Sequence, residues 1–391
     1  MDILLEALTS ASANDRDVYR PEFFRLTNPL DRARMQEVLK SVPGIRVHDE
    51  LHSQLTELVR SLDPSVKFTR PELDDAAVSH LGGIPAEHYG VWVFYPWSSR
   101  LVHLLDETEF ALVRTDRNRN KITREEQAIL SSKKIGVLGL SVGQSICLTL
   151  ALERGFGELR IADFDTLELS NLNRIRSGVH SMGHLKTVNV AREIAELDPF
   201  LKVTLFNEGV SRDNIDRFLT EGGNLDMLVD ECDSVDVKIF CRQKAKALRI
   251  PVIMDTSDRG MLDVERFDLE LERPILHGLI EHLNVTDATF NDVPNPERNL
   301  MLTMAIVQPA ELSERMKISL PEIGKTICSW PQLAGDVIMG GGASAEMCRR
   351  IFLGHFRSSG RWYLDTERAL GLLPDHKGLA AVVASKPEVH G

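Results

Sequence analysis

The sequence predicts an α/β protein whose main unit is a doubly wound, mostly parallel sheet, and three observations carry that expectation. The first lies between Lys133 and Asp165, where an apolar run at residues 135–140 meets glycines and then an apolar stretch of helix length at 146–152. An unbroken apolar run of this kind reads as a strand buried on both faces. A second strand at 159–162 ends in the acids Asp163 and Asp165, which completes a βαβ unit. The second observation is that the alternation continues: helix 187–197, strand 203–207, helix 213–219, strand 225–229, helix 235–248 and strand 251–255. Strands separated by helices imply a parallel sheet with helices on both faces, so the unit is Rossmann-like. The third is a change of texture before residue 115, where helical spacing gives way to β-rich runs. That predicts an α+β N-terminal domain.

In that first region residues 34–41 and 51–62 carry apolar positions at helical spacing, and Pro71-Glu72-Leu73-Asp74-Asp75 looks like a helix start. Proline suits the first helical position, and acids suit the first turn. Runs at 89–95 and 100–105 flank Pro96-Trp97-Ser98-Ser99, the pattern of a hairpin. Trp92 is expected in the core, while Trp97 at the turn suits a contact role and a packing role equally. Residues 114–132 are dense in charge, including Arg117, Arg119, Glu125 and Glu126. They read as a solvated linker or, from their place just before the first strand of the βαβ unit, as the source of a functional arginine. Beyond residue 270 a strand is expected at 302–307, a flexible turn at 340–343, a helix at 345–353 and a poorly ordered tail from Lys377. The domains expected are 1–115, 116–270 and 271–391, the last completing the substrate site and the dimer.

At 391 residues the chain can bury a sizeable core, and its net charge of -12 argues against a nucleic-acid backbone as the main partner. The five cysteines form no CxxC pair, which disfavours structural zinc and a disulfide framework. No apolar run approaches membrane-spanning length, and residues 1–12 lack a basic region followed by an apolar one. The expected location is the cytoplasm, with no nucleic acid and no membrane as partner.

Ligands of such sheets bind at the carboxyl ends of the strands. The turn carrying Gly139, Ser141 and Gly143 would offer helix-start N–H groups to a phosphate, and Asp163, about 20 residues on, stands where a ribose hydroxyl would lie. Glycine turns also occur where close packing alone requires them. The nucleotide reading gains weight from the polar runs Asp163 to Arg174, Gly183-His184-Leu185-Lys186 and Asp230-Glu231-Cys232-Asp233, which a dehydrogenase would not need.

With Ser170-Asn171-Leu172-Asn173-Arg174, Lys186 and Asp233 in place, the chain resembles the ThiF, MoeB and HesA family, bacterial relatives of ubiquitin-activating E1 enzymes, over roughly residues 114–270. The resemblance implies ATP- and Mg²⁺-dependent adenylation of a carboxylate, usually the carboxyl terminus of a small protein or peptide. It implies that Asp163 holds the ribose, with Asp165 among the nucleotide contacts, that Arg174 and Lys186 meet the phosphates, that Asn171 orients phosphate or metal, and that Asp233 holds Mg²⁺. An arginine upstream of the first strand, here Arg119 or Arg117, would reach the ATP of the other subunit, so a homodimer is implied.

The chain also departs from the family. Where G-x-G-G-x-G is usual, it has Gly139, Ser141, Val142 and Gln144, with Gly143 one place off, and Ile175 replaces a glutamine. The missing CxxC motif and the long amino-terminal region lean towards members that modify ribosomally made peptides, as in microcin C or pantocin maturation. Residues 1–115 would then hold the peptide. Cys328 could take an acyl group as a thioester, although a buried inert thiol is the expectation, and His277 and His282 read as structural. The alternatives are a sulfur-carrier-protein adenylyltransferase of the thiamine or molybdopterin type, a NAD(P)- or FAD-dependent oxidoreductase, and a non-catalytic binding module.

Overall fold

A computed structural model of the chain describes residues 16–283 and 296–372, so the tail from Lys377 lies outside the described residues. The chain divides into two units, Met1–Ala128 with Ala191–Leu201, and Ile129–Val190 with Lys202–Gly391.

In the first unit β1 (Glu22–Phe24), α1 (Pro29–Ser41), β2 (Arg46–Asp49), α2 (Leu51–Leu62), α3 (Arg70–His80), β3 (Val91–Tyr95), β4 (Arg100–Leu104) and α4 (Glu107–Arg114) follow in order. Local chemistry starts the helices. The Asn28 side chain accepts the Leu30 N–H at 2.9 Å before α1, and Glu72 accepts the Thr69 N–H at 2.7 Å before α3. The sheet order is β1-β3-β4-β2, with β3 and β4 antiparallel around a 3-10 turn at Pro96–Ser98, which is the expected hairpin. β2 joins β4 in parallel at the sheet edge and is exposed along its length. Trp92 is core: its ring stacks on His103 at 4.2 Å and its N–H donates to the Glu87 carbonyl at 3.0 Å. Trp97 packs edge-on against Tyr95 at 5.5 Å and donates to Glu196 at 2.6 Å.

After α5 (Arg124–Leu130) the second unit runs β5 (Lys134–Leu138), α6 (Gly143–Glu153), β6 (Glu158–Ala162), α7 (Lys186–Leu197), β7 (Lys202–Phe206), α8 (Ile215–Thr220), β8 (Met227–Asp230), α9 (Val235–Ala247), β9 (Val252–Thr256) and β10 (Met261–Glu265). It ends with α10 (Pro296–Val307), α11 (Glu314–Ser319), α12 (Ala334–Phe352), β11 (Gly360–Tyr363) and α13 (Thr366–Ala369). The sheet order is β11-β10-β9-β8-β5-β6-β7. Strands β9, β8, β5, β6 and β7 are mutually parallel, and β10 and β11 extend the sheet antiparallel. The fold is the doubly wound α/β arrangement. Strand order reverses at β5, with β6 and β7 on one side and β8 and β9 on the other, so a crevice opens at the carboxyl ends of β5 and β8.

Two expectations are corrected. Residues 302–307 are helical, as the end of α10, because Leu302 and Ile306 stand one turn apart and are both buried against Val235 and Ile239. Residues 340–343 are no turn but the middle of α12. A side chain on Gly340 would overlap the Asp255 carboxylate, and one on Gly341 would sit 2.8 Å from Ser145 Cβ and 2.9 Å from its backbone carbon. These glycines permit α12 to lie close on α6 and β9, which offsets their low helix propensity.

Candidate functional site

The site is built where β5, β6 and β8 end. At the end of β5 the chain turns through Gly139, whose φ of +79° and 2.5 Å separation between a would-be Cβ and the Glu231 carbonyl oxygen exclude any side chain. At Gly143 a Cβ would meet Val137 Cγ1 at 2.8 Å. Close packing of strand ends and helix therefore accounts for both glycines. The Asp163 carboxylate at the end of β6 accepts the Leu140 N–H at 2.7 Å and the Asp165 N–H at 2.8 Å, tying the β5 turn to the β6 turn. Burial raises this carboxyl above its ordinary value, an effect that Lys186 at 3.9 Å only partly offsets.

From Asp165 the chain goes out and returns. Leu167 N–H donates to the His184 carbonyl at 2.8 Å and Lys186 N–H to the Asp165 carbonyl at 3.0 Å, which brings Lys186, the first residue of α7, back beside Asp165. Their side chains pair at 2.7 Å. Within the excursion a 3-10 turn at Leu169–Asn173 is held by Asn171 Oδ1, which accepts the Glu168 N–H at 3.1 Å. Gln144 on α6 pins the next residues, donating to the Arg176 carbonyl at 2.9 Å and accepting its N–H at 2.8 Å. Arg174 is thereby aimed at the β5 turn, where its Nε and Nη2 donate to Ser141 Oγ at 3.0 and 2.7 Å.

These groups border a cavity of about 610 Å³ whose lining residues all belong to the second unit. Of the residues singled out in the sequence, Ser141, Asp165, Asn171, Arg174, Lys186 and Asp233 line it. Asp163 does not, being occupied by the two backbone N–H groups, and Gly139 and Gly143 shape the turn without lining it. Arg117 and Arg119 belong to the first unit, where Arg119 pairs with Asp116 at 3.2 Å and donates to the Ser61 carbonyl at 3.4 Å.

Sequence reasoning missed the deeper polar layer. Lys238 on α9 borders the cavity and pairs with Asp230 at 3.1 Å. Arg242, one turn further along α9, bonds Asp230 and also Glu265, the latter at 2.6 Å, with all three fully buried. Burial alone would raise Asp230, but Lys238 and Arg242 outweigh it and hold this carboxyl well below the usual range. Glu231 accepts the Asp255 N–H at 2.8 Å, and burial together with the Asp255 charge pushes its carboxyl well up. The spacing of Lys238 and Arg242, four residues apart behind an acidic strand end, is compatible with such a layer but equally with an ordinary solvated helix face.

Cys328 is exposed rather than buried, because the turns around it leave the helices that make the core. Its neighbours Ser329 and Trp330 line the cavity. His277 pairs with buried Asp263 at 2.9 Å, a structural role, whereas His282 is exposed.

Residues 115–267 match the profile of the ThiF family. They form a ThiF-family domain. A Mycobacterium tuberculosis relative, uncharacterized protein MT1398, is 42% identical over 346 residues, which covers 84% of this chain and 46% of that protein. The chain thus spans about half the length of that relative. The tRNA threonylcarbamoyladenosine dehydratase of Haemophilus influenzae is 26% identical over 46% of this chain and 69% of its own. The molybdopterin-synthase adenylyltransferase of the same organism is 24% identical over 50% of this chain and 76% of its own.

Proposed function

We propose that the chain is an ATP-dependent activating enzyme that adenylates a carboxylate of a peptide or small protein, in the manner of the E1-like adenylating family. The observation that supports this best is one cavity, at the carboxyl ends of β5 and β8, bordered by Ser141, Asn171, Arg174, Lys186 and Asp233. A nicotinamide or flavin reading leaves Arg174, Lys186 and Asp233 without a task.

In the reaction an oxygen of the substrate carboxylate bonds to the α-phosphorus of ATP, and the bond from that phosphorus to the bridging oxygen of pyrophosphate breaks. No base is needed, so the protein's work is to position the reactants and to neutralise charge. Lys186, with Asp165 beside it, and the half-buried Arg174, held by Ser141 and Asn173, are cations fixed in advance for the phosphates. Among the described residues no group of three His, Cys, Asp or Glu could hold a metal by itself. Asp233, exposed at the cavity, would supply the one carboxylate that an Mg²⁺ ion needs beside water and phosphate oxygens. When bound, Mg²⁺ supplies positive charge at the phosphates.

The same reading assigns residues 1–115 to holding the peptide of a ribosomally made substrate. It takes the enzyme to be a cytoplasmic homodimer in which Arg119 or Arg117 acts on the partner's nucleotide. The exposed edge strand β2 supports peptide holding, since an extended peptide adds to such an edge through main-chain hydrogen bonds. Calorimetry of the purified chain should detect binding of ATP with Mg²⁺, and Arg174→Ala and Asp233→Ala should weaken it. In pyrophosphate exchange with the substrate, either change should cost about 10²- to 10³-fold in rate. Affinity for NAD with none for ATP would refute the reading. For the dimer, an Arg117→Ala, Arg119→Ala chain mixed with an Asp233→Ala chain should recover activity.

A further inference from the structure

The cavity changes character along its length. Its lining residues reach from Asp165, just past β6, to Met261 at the start of β10, four strand spacings or roughly 19 Å apart. Arg174 at the β5 turn, Lys186 beside Asp165 and Asp233 after β8 make one half ionic. In the other half β9, β10 and α10 contribute Met254, Thr256, Met261, Thr303, Ile306 and Val307. Both threonine hydroxyls are spent, since Thr303 donates to the Asn299 carbonyl at 2.7 Å and Thr256 to the Asp258 carbonyl at 3.3 Å. Of the described lining residues on these three elements only Asp255 is charged, and its two oxygens are shut in against the backbone of Gly340. Ser257, just after β9, adds one hydroxyl. This half is an apolar recess with few polar atoms, in which Thr303 and Val307 are half-buried and keep accessible surface.

In a βαβ unit the ribose lies by the end of the second strand, here β6. A nucleotide so placed runs its phosphates toward Arg174, Lys186 and Asp233, and an acyl group joined to the α-phosphorus continues toward β9 and β10. We propose that the recess walled by Met254, Met261, Thr303, Ile306 and Val307 receives the side chain of the residue whose carboxylate is activated, so that the enzyme selects an aliphatic residue there over glycine or a charged one. The inference rests on the adenylation reading and adds the side chain to it. A leucine-sized group buried against these walls releases water from both surfaces, whereas glycine leaves the recess unfilled. A lysine ammonium would lose its water with no accessible carboxylate on these walls to meet it.

The test uses three stable mimics of an acyl adenylate, N-acetylleucyl-, N-acetylglycyl- and N-acetyllysyl-sulfamoyladenosine, titrated against the full chain. The leucyl compound should bind about 10- to 100-fold more tightly than either of the others. Val307→Trp fills the recess and should bring the leucyl and glycyl affinities to near equality. Cooperative thermal unfolding shows that the variant is folded, and the comparison within the unaltered chain decides even if it is not. Equal leucyl and glycyl affinities in the unaltered chain, tighter binding of the lysyl compound, or no binding of the leucyl compound by a chain that binds ATP would overturn the subsite while leaving ATP binding to support adenylation. A leucyl preference that survives in folded Val307→Trp would do the same. So would an ATP affinity that falls in this variant as far as the leucyl one, since the recess would then hold the adenine. Failure to bind ATP and all three mimics would overturn the adenylation reading and this inference with it.

Discussion

Burial sets the chemistry of single side chains in this protein. Asp255 has its carboxyl pushed up from its ordinary 3.8 to about 7, first by burial and then by the negative charge of Asp336. Between these two values the native chain therefore holds a proton there that the unfolded chain has released, and above about 7 both carry the charge. The stability this gives is fully present below the unfolded value and is lost as pH rises through about 7. Denaturation midpoints measured at about pH 5 and about pH 8 should show Asp255→Asn losing less stability than the unaltered chain, by more than about 1 kcal/mol. Equal losses would show that Asp255 is ionised throughout. Arg242 is the opposite case, a cation bonded to buried Asp230 and Glu265. Arg242→Met should cost about 3–5 kcal/mol in denaturant unfolding, since buried Glu265 loses its cation and Asp230 one of its two. The surface of the cavity was legible in the sequence because Arg174 and Asp233 lie in polar runs that follow strand ends and Lys186 lies at a helix start. Asp255 and Lys238 were not, because an acid that ends an apolar strand and a lysine on a helix look ordinary until the fold removes their water. Asp163 was legible as a strand-end acid, but its capture of two backbone N–H groups depends on the path of two turns that no spacing reveals.

At the scale of the element, most parallel strands were readable because burial on both faces demands unbroken apolar runs, and β5, β8 and β9 each show one, whereas β6 interrupts its run with Arg160, buried with bonds to Glu158 and the Phe218 carbonyl. The helices of the last third were harder. Leu302 to Val307 mixes residues that suit either state, and only the packing of Leu302 and Ile306 on Val235 and Ile239 decides for a helix. Three consecutive glycines read as a turn, yet in α12 they differ in kind. At Gly341 a methyl group would meet the Ser145 side chain and backbone, whereas at Gly342 nothing lies within 4 Å. Gly341→Ala should therefore lower stability by about 1–3 kcal/mol through overpacking. Gly342→Ala should raise it by roughly 0.5–1 kcal/mol, because the backbone loses unfolded freedom and gains helix propensity. Paired denaturant titrations decide the matter, and shifts of the same sign would mean that α12 does not lie on α6 as described.

For the whole molecule, the two units are not consecutive pieces of chain. The sheet of the first unit buries Val91, Val93 and Tyr95 around Ala195, and Phe200 lies against Phe23 at 5.6 Å and Phe110 at 5.3 Å. Ala195 belongs to the end of α7, and the first residue of that same helix is Lys186, which lines the cavity of the second unit. This one helix thus belongs in part to each unit, with Ala195 packed in the first and Lys186 lining the cavity of the second. In water an isolated turn of helix is marginal, and tertiary packing of one face supplies most of its stability. Deleting residues 1–128 removes the apolar surface that covers Ala195 and Phe200. The truncated chain should then lose amide-exchange protection along the second half of α7 and bind ATP more weakly than the full chain. Ala195→Asp places a charge among Val91, Val93 and Tyr95, and in the intact chain it should reproduce the loss of protection in milder form. Hydrogen exchange followed by mass spectrometry, with an ATP titration on the same samples, separates the possibilities. Full protection and full affinity after truncation would mean that the start of α7 is held by the second unit alone.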